Sequence, residues 1–357
     1  MSIFIFLIIL SALIIVHELG HMLVAKHYGI RVDEFGLGYP PRAWKLFSWR
    51  KTIFTLNWLP FGGFVKIFGE NPNEENSKSS ESFQTKNRGI QAAVLAAGVI
   101  GNFIFAWLLI SLGFVSGLPS PAGASLPIEN PRTLITVVIP GSPAALAGLK
   151  EGDVIVSMSR GNSYAELSPE ALSEFISRSP LPITLSIERG KSSVVKTIAP
   201  KEGIIAGRPA LGISMETIGI VKLPFYKAFW EGLKTTASLT LVTAKAIITL
   251  LSQAVLGRAD LTAVAGPVGI VGMVGDIREL GIAYLITFTA LLSINLSIIN
   301  LMPFPALDGG RLLFVGIEAI IRRPIPSRFF NALNTAGFAL LIFLMILITI
   351  HDVRNIF

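Results

Sequence analysis

The chain has 357 residues, 52% hydrophobic and only 15% charged, with positive mean hydropathy, which indicates a membrane protein rather than a soluble domain. It contains no cysteine, which excludes disulfides and thiolate metal ligands, and only four histidines: His17, His21, His27 and His351. The net charge of +7 falls largely in loops beside apolar segments, where it sets orientation and calls for no nucleic-acid partner.

Four segments are long and apolar enough to span a hydrocarbon core of about 30 Å: approximately 3–25, 90–115, 281–301 and 330–350. The first has no charged side chain from Met1 to Val16 and then reads His17-Glu18-Leu19-Gly20-His21. Residues four apart share a helix face, so His17 and His21 can hold one metal ion while Glu18 turns toward its water as general base. Two imidazoles form part of a tetrahedral zinc shell, and a third protein ligand is still needed. Ionisable groups inside a membrane cost about 2.5 kcal/mol or more each and are usually retained for function. A cleaved signal peptide is not expected, because the start lacks a basic n-region and no A-x-A site follows. His27 and His351, near the ends of the first and fourth spans, read as interfacial histidines.

The polar stretch 27–88 carries nine Lys or Arg and is assigned to the cytoplasm, which leaves the N-terminus and everything between the second and third spans outside. The Glu-rich linker 71–82 reads as flexible. On the second span, Ala97-Gly98 and Gly101-Asn102 offer small residues for close helix packing and an amide to bond across helices.

Residues 121–214 read as a soluble α+β module. Strands are expected over Thr133–Ile139, Val154–Met158, Ile183–Glu188 and Val194–Ile198, with helices over Ala144–Leu149 and Ser168–Ile176. Its run from Pro140 to Ile155, PGSPAALAGLKEGDVI, resembles the bacterial PDZ signature, which implies capture of an extended peptide or a C-terminus, or use as a spacer or size filter. In the segment 224–256, Lys227, Glu231, Lys234, Ser238, Lys245, Thr249 and Ser252 fall within an arc of about 60° at helical period. That narrow polar stripe suits an amphipathic helix at the membrane surface or beside a wet cavity better than a fifth span.

The third span ends in Asn300-Leu-Met-Pro303-Phe-Pro305-Ala-Leu-Asp308-Gly-Gly-Arg311. The prolines cannot continue a regular helix, so Asp308 is expected on an irregular turn at the inner membrane edge, with Gly309-Gly310 releasing the backbone. His17 and His21 lie in the cytoplasmic third of a helix running inward, and Asp308 follows another running inward. Both arrive at one depth, and Asp308 is the candidate third ligand.

Taken together, the HELGH helix, the PDZ-like module and the Asn300-to-Gly310 segment resemble the site-2 protease family of intramembrane zinc metalloproteases, in particular its bacterial RseP-like branch (regulator of sigma-E protease-like). The resemblance runs along essentially the whole chain, which has room for a single PDZ domain where well-known relatives have two. It implies a polytopic α-helical membrane protein with four transmembrane helices, a membrane-associated β-hairpin region at 30–70 and one extracytoplasmic PDZ domain. It divides the chain into an N-terminal membrane part (1–120), the PDZ domain (121–214), the interfacial helix (224–256) and a C-terminal membrane part (257–357). It further implies Zn²⁺ as cofactor, a site in the bacterial cytoplasmic membrane near its inner face, and transmembrane, single-span, pre-trimmed substrates such as anti-sigma factors or signal-peptide remnants. Leu59 to Lys66 is similar to the family's membrane-dipping hairpin, so Gly62, Gly63 and Phe64 are candidate substrate contacts by strand addition. Asn295, Asn300, Pro303 and Pro305 are candidates on the same ground, although Asn300 suits a helix cap or an interhelical bond equally well. Rival readings are a catalytically silent membrane scaffold, which has no need of Glu18 and Asp308, and a metal carrier, whose ligands would spread along several spans.

Overall fold

The computed structural model describes residues 1–70, 79–121, 126–190, 192–205, 207–258 and 265–356; the expected flexible linker falls mostly outside them. In chain order the elements are α1 (Ser2–His27), β1 (Val32–Trp49), β2 (Thr52–Ile67) and α2 (Arg88–Ser116). Next come β3 (Leu118–Pro121), β4 (Glu129–Val138), α3 (Pro143–Leu146), β5 (Val154–Arg160), β6 (Ser163–Tyr164) and α4 (Pro169–Ser177). These lead to β7 (Ile183–Arg189), β8 (Ser192–Ile198), β9 (Lys201–Ile205), β10 (Arg208–Ala210) and β11 (Ile213–Val221). The chain closes with α5 (Phe225–Val255), α6 (Pro267–Leu280), α7 (Ile282–Leu301), α8 (Asp308–Ile321) and α9 (Ser327–Ile356). They form two compact units, one of Met1–Ser111, Phe229–Arg278 and Leu285–Phe357, the other of Leu112–Ala228 and Glu279–Tyr284.

Among the described residues, five helices are long and apolar enough to cross a membrane: Ser2–His27, Arg88–Ser116, Phe225–Ala254, Ile282–Leu301 and Ser327–Arg354. Four contain the segments expected to span, and the other lies in α5, a single helix of 31 residues. The chain is a polytopic membrane protein with β-sheet structure between its apolar helices.

In the first unit, small residues let α1 and α2 meet backbone to backbone. A Cβ on Gly101 would stand 3.0 Å from the Val16 carbonyl oxygen, and one on Gly20 would collide with the Ala97 carbonyl. As numbers rise along α1 they fall along α2, so the two run in opposite senses. Ser293 and Ser297 on α7 donate to the carbonyls of Asn102 (2.8 Å) and Val99 (2.9 Å) on α2, again in opposite senses. Helices α1 and α7 therefore point the same way. Ile9 and Leu13 of α1 bury against Val274 of α6, a helix sequence patterning did not distinguish. The Asp352 carboxylate near the end of α9 accepts the N–H groups of Gly266 (3.2 Å) and Gly269 (2.8 Å), holding the start of α6.

The hairpin region is more folded than a simple two-stranded ribbon. Glu34 to Leu37 of β1 pairs with Ile53 to Leu56 and also with Gly63 to Lys66, because β2 bends back across β1. The base of this sheet joins a core of Met22, Ala25, Val32, Phe35, Val94 and Val315, which ties the end of α1 to α2 and α8.

In the second unit the sheet order is β3-β11-β4-β5-β7-β8, with β6 on β5 and every neighbour antiparallel. Ser142 and Ser168 cap α3 and α4 by accepting from Ala145 and Ala171, each with proline in the first turn. Leu172 and Ile176, one turn apart on α4, pack with Ile135, Met158, Ile183, Leu185 and Ile187 in one core. Buried Asp153 accepts from the Lys150 N–H (2.9 Å) and from Arg189 (2.7 Å), and the bond to Arg189 holds its guanidinium pKa above the ordinary value. The module runs past the expected limit at residue 214, because β11 continues to Val221 between β4 and the short strand β3. Pro119 and Pro121 sit in β3 at the sheet edge, where a missing N–H costs no ladder bond.

Candidate metal centre

Three side chains converge in the first unit, two from one helix and the third 287 residues beyond His21. His17 and His21 project from one face of α1, and Asp308 is the first residue of α8. The Asp308 Oδ2 lies 2.9 Å from His17 Nε2 and 3.2 Å from His21 Nε2, and the two Nε2 atoms are 3.2 Å apart. Ligand atoms around a tetrahedral zinc stand about 3.3 Å from one another, given bonds of about 2.0–2.1 Å. The cluster is a three-residue group suited to one metal ion.

Outer partners orient both rings. His21 Nδ1–H donates to the Val94 carbonyl at 2.7 Å, which leaves Nε2 with a free lone pair. His17 Nδ1 lies 3.2 Å from Nδ2 of the buried Asn102 amide, whose Oδ1 has no hydrogen-bond partner among the described residues; turning the amide over brings Oδ1 to that place, where it accepts from Nδ1–H. With both Nδ1 atoms protonated, two bare nitrogens and a carboxylate oxygen face one another at about 3 Å, an arrangement that a shared cation relieves. This donor set fits zinc.

Glycines make room for these rings. A Cβ on Gly98 of α2 would stand 2.7 Å from His17 Cε1, so a larger residue there would displace the imidazoles. Asp308 was expected on an irregular turn and instead begins a regular helix; the irregular chain is the preceding stretch, with Ala306 at φ +74°. Gly309 and Gly310 serve close approach rather than release, since Cβ atoms there would strike the carbonyls of Leu301 and Phe304.

Glu18 follows His17 on α1, and its Oε2 accepts the Val65 N–H of β2 at 3.0 Å. The stretch Gly62–Ile67 therefore pairs with β1 along one side and turns its other edge toward the Glu18 carboxylate. Gly62 and Gly63 are buried in this stretch, Gly62 at φ +86°, and the Phe64 ring lies against Gly36. Asn295 and Asn300 of α7 are half-buried, without a side-chain hydrogen-bond partner among the described residues. Pro303 lies in the irregular stretch after α7, and Pro305 packs so closely on α9 that a Cβ on Gly337 would stand 2.7 Å from its carbonyl oxygen. Exposed His27 stacks edge-on with Tyr28, and His351 lies in α9. Patterning had assigned Asn102 to an interhelical bond, but its partner, His17, and the Val65 N–H on Glu18 had no signal in the linear sequence.

The chain matches the model of peptidase family M50 over residues 5–344. It is 37% identical over 351 residues to a protein of Clostridium perfringens named as a zinc metalloprotease, with 97% of each chain covered. It is 28% identical to the zinc metalloprotease RasP of Geobacillus kaustophilus, covering 100% of this chain and 98% of the relative. It is 29% identical to the regulator of sigma-W protease RasP of Bacillus subtilis, covering 99% and 98%. On the match along nearly its whole length, the chain belongs to peptidase family M50.

Proposed function

We propose that this chain is an intramembrane zinc metalloendopeptidase that hydrolyses peptide bonds within or near transmembrane segments of membrane proteins. The observation that carries the reading is the convergence of His17, His21 and Asp308 beside Glu18, on helices apolar enough to lie in a bilayer. His17, His21 and Asp308 would hold the ion. Zinc, when bound, polarises a carbonyl and lowers the pKa of a water to about 7. Glu18 takes the proton of the attacking water and delivers it to the departing amine nitrogen. Val94 and Asn102 keep the imidazoles in the tautomer that leaves Nε2 available. The edge of Gly62–Ile67 that does not pair with β1 offers its backbone to an unwound substrate segment, which tolerates many side chains, while Asn295 and Asn300 have amides to offer the same segment. Purified chain is expected to cleave a single-span membrane substrate, to lose that activity with a strong chelator and to regain it with added zinc. Cleavage that survives complete zinc removal would overturn the reading.

Four spans suit this site. The opposed senses of α2 and α7 support a connection that leaves and re-enters the bilayer on one side, which a lone extra crossing by α5 would prevent. At 14 residues, about 21 Å, α6 is too short to supply a compensating span. On this reading α5 lies along the membrane surface, with Lys227, Lys234, Lys245 and Ser252 on its exposed face. A cysteine at Gly257, in a chain with none of its own, is expected to react with an impermeant reagent from the extracytoplasmic side alone; cytoplasmic labelling would sink the four-span topology.

The second unit is assigned as a single extracytoplasmic PDZ domain that takes a peptide or C-terminus. Its strand and helix order, and the short capped α3 following the Gly141 turn, support that assignment. The substrates would be pre-trimmed, single-span proteins of the bacterial cytoplasmic membrane, such as anti-sigma factors or signal-peptide remnants, cut near the inner face. The name of the Bacillus subtilis relative, a regulator of sigma-W, supports the first class.

A further inference from the structure

Asp308 and Arg311 lie three residues apart at the start of α8, on neighbouring faces of its first turn. Arg311 Nη1 forms an ion pair with Glu70 Oε1, 241 residues earlier in the chain. Glu70 stands three residues beyond the end of β2, the strand whose Val65 N–H meets Glu18. The intervening turn is tied down: Glu70 N–H donates to the Ile67 carbonyl (3.2 Å), Phe68 N–H to Arg31 (2.9 Å) and Phe83 N–H to Phe68 (2.9 Å). The Arg31 guanidinium also lies over the Phe68 ring, 3.6 Å from its centre. A displacement of Glu70 is therefore passed to the strand rather than absorbed by the turn.

On one side, Ile67 at the end of this strand and Val315 of α8 are buried in a common apolar core. On the side of Glu70 lies a cavity of about 360 Å³, bordered by Glu70, Arg88, Arg311, Phe314 and Glu318. A void transmits no contact force, because the atoms lining it lack partners on one side. Two ion pairs bridge its border: Arg311 to Glu70, and Arg88 of α2 to Glu318 of α8 at 2.8 Å. The second holds α8 to α2. Of these two ion pairs, the first joins α8 to the turn that follows the strand.

We propose that the Arg311–Glu70 ion pair is a latch that, beside this apolar core, fixes the position of the edge strand Gly62–Ile67 relative to the helix carrying Asp308, which makes both residues positioning residues for the substrate. The inference rests on the assignment of that edge as the place where substrate pairs. Breaking the latch leaves the strand edge and the three metal-binding side chains intact but lets them drift relative to each other. A misplacement of about 1 Å costs roughly 10²-fold in rate without weakening the initial pairing.

The test uses the full zinc-loaded chain in liposomes with a single-span substrate. Glu70→Gln is expected to lower kcat by about 10- to 100-fold, with KM within about threefold of wild type and zinc content unchanged. Charge reversal at either position alone should do the same, and the double variant Glu70→Arg with Arg311→Glu should recover most of the loss. A double reversal as slow as each single one would overturn the latch, as would a Glu70→Gln enzyme at full rate or one that loses zinc along with activity. Failure of the underlying assignment looks different: the wild-type chain itself would cleave nothing beyond what Glu18→Gln cleaves.

Discussion

Glu18→Gln is expected to keep close to one zinc per chain and to slow cleavage of a membrane-spanning substrate by about 10²- to 10⁴-fold, the range contributed by a positioned general base. The substitution is nearly isosteric. A glutamine oxygen still accepts the Val65 N–H that Glu18 accepts at 3.0 Å, so the edge strand keeps its anchor on α1. Glu18 is also outside the cluster of His17, His21 and Asp308 that would hold the ion. The only capacity removed is that of taking a proton. Zinc analysis of the purified variant alongside its cleavage rate checks both halves of the statement. Undiminished cleavage would move the base elsewhere, and loss of zinc would make Glu18 part of the metal shell.

Asp308→Ala is expected to fail at the earlier step. It removes one of three ligands and leaves two imidazole nitrogens 3.2 Å apart with no anion to balance a shared cation. Removing an outer partner of a ligand typically costs 10- to 100-fold in metal affinity, and losing the ligand itself should cost more. Asn102→Ala, which takes away only the amide beside His17 Nδ1, therefore provides the internal scale: its zinc affinity should fall between wild type and Asp308→Ala. Competition with a chelator of known affinity gives all three values. The fold around Asp308 should survive, because Gly309 and Gly310 hold the start of α8 against the carbonyls of Leu301 and Phe304. Equal zinc affinity for Asp308→Ala and wild type would remove Asp308 from the site.

The two substitutions separate functions that the first helix alone blends. His17, Glu18 and His21 occupy one turn of α1, yet each depends on a different distant element: Asn102 and Val94 of α2 for the imidazoles, Val65 of β2 for the carboxylate. Each of these partners is a backbone group or an amide of ordinary appearance in sequence. Asn102 was legible as a residue that bonds across helices, since a buried amide requires a partner. Which partner it takes depends on how far α2 slides along α1, and the small residues at Gly20, Gly98 and Gly101 decide that.

Local periodicity is an effective guide where one rule governs. In α1, helical spacing puts His17 and His21 on one face; in the second unit, β-branched runs and turn residues mark β4, β5, α4, β7 and β8 within a few residues. It falls short where tertiary pairing overrides it. Strand β11 continues beyond the expected boundary because β3 and β4 flank it, β2 doubles back on β1, and α8 begins at Asp308 in spite of two preceding prolines.

By itself the sequence determined the chemistry. Without cysteine, a metal site had to draw on four histidines and the carboxylates, and the His17-to-His21 motif, set in a helix of the bilayer, called for a third ligand at the same depth. Only the tertiary structure decided which atoms meet. It carried Asp308 across 287 residues to His21, aimed one strand edge at Glu18 and joined Arg311 to Glu70. The physical reason is that hydrogen bonds and ion pairs act over about 3 Å, and separations on that scale are set by the packing of helices against one another and not by spacing along a chain.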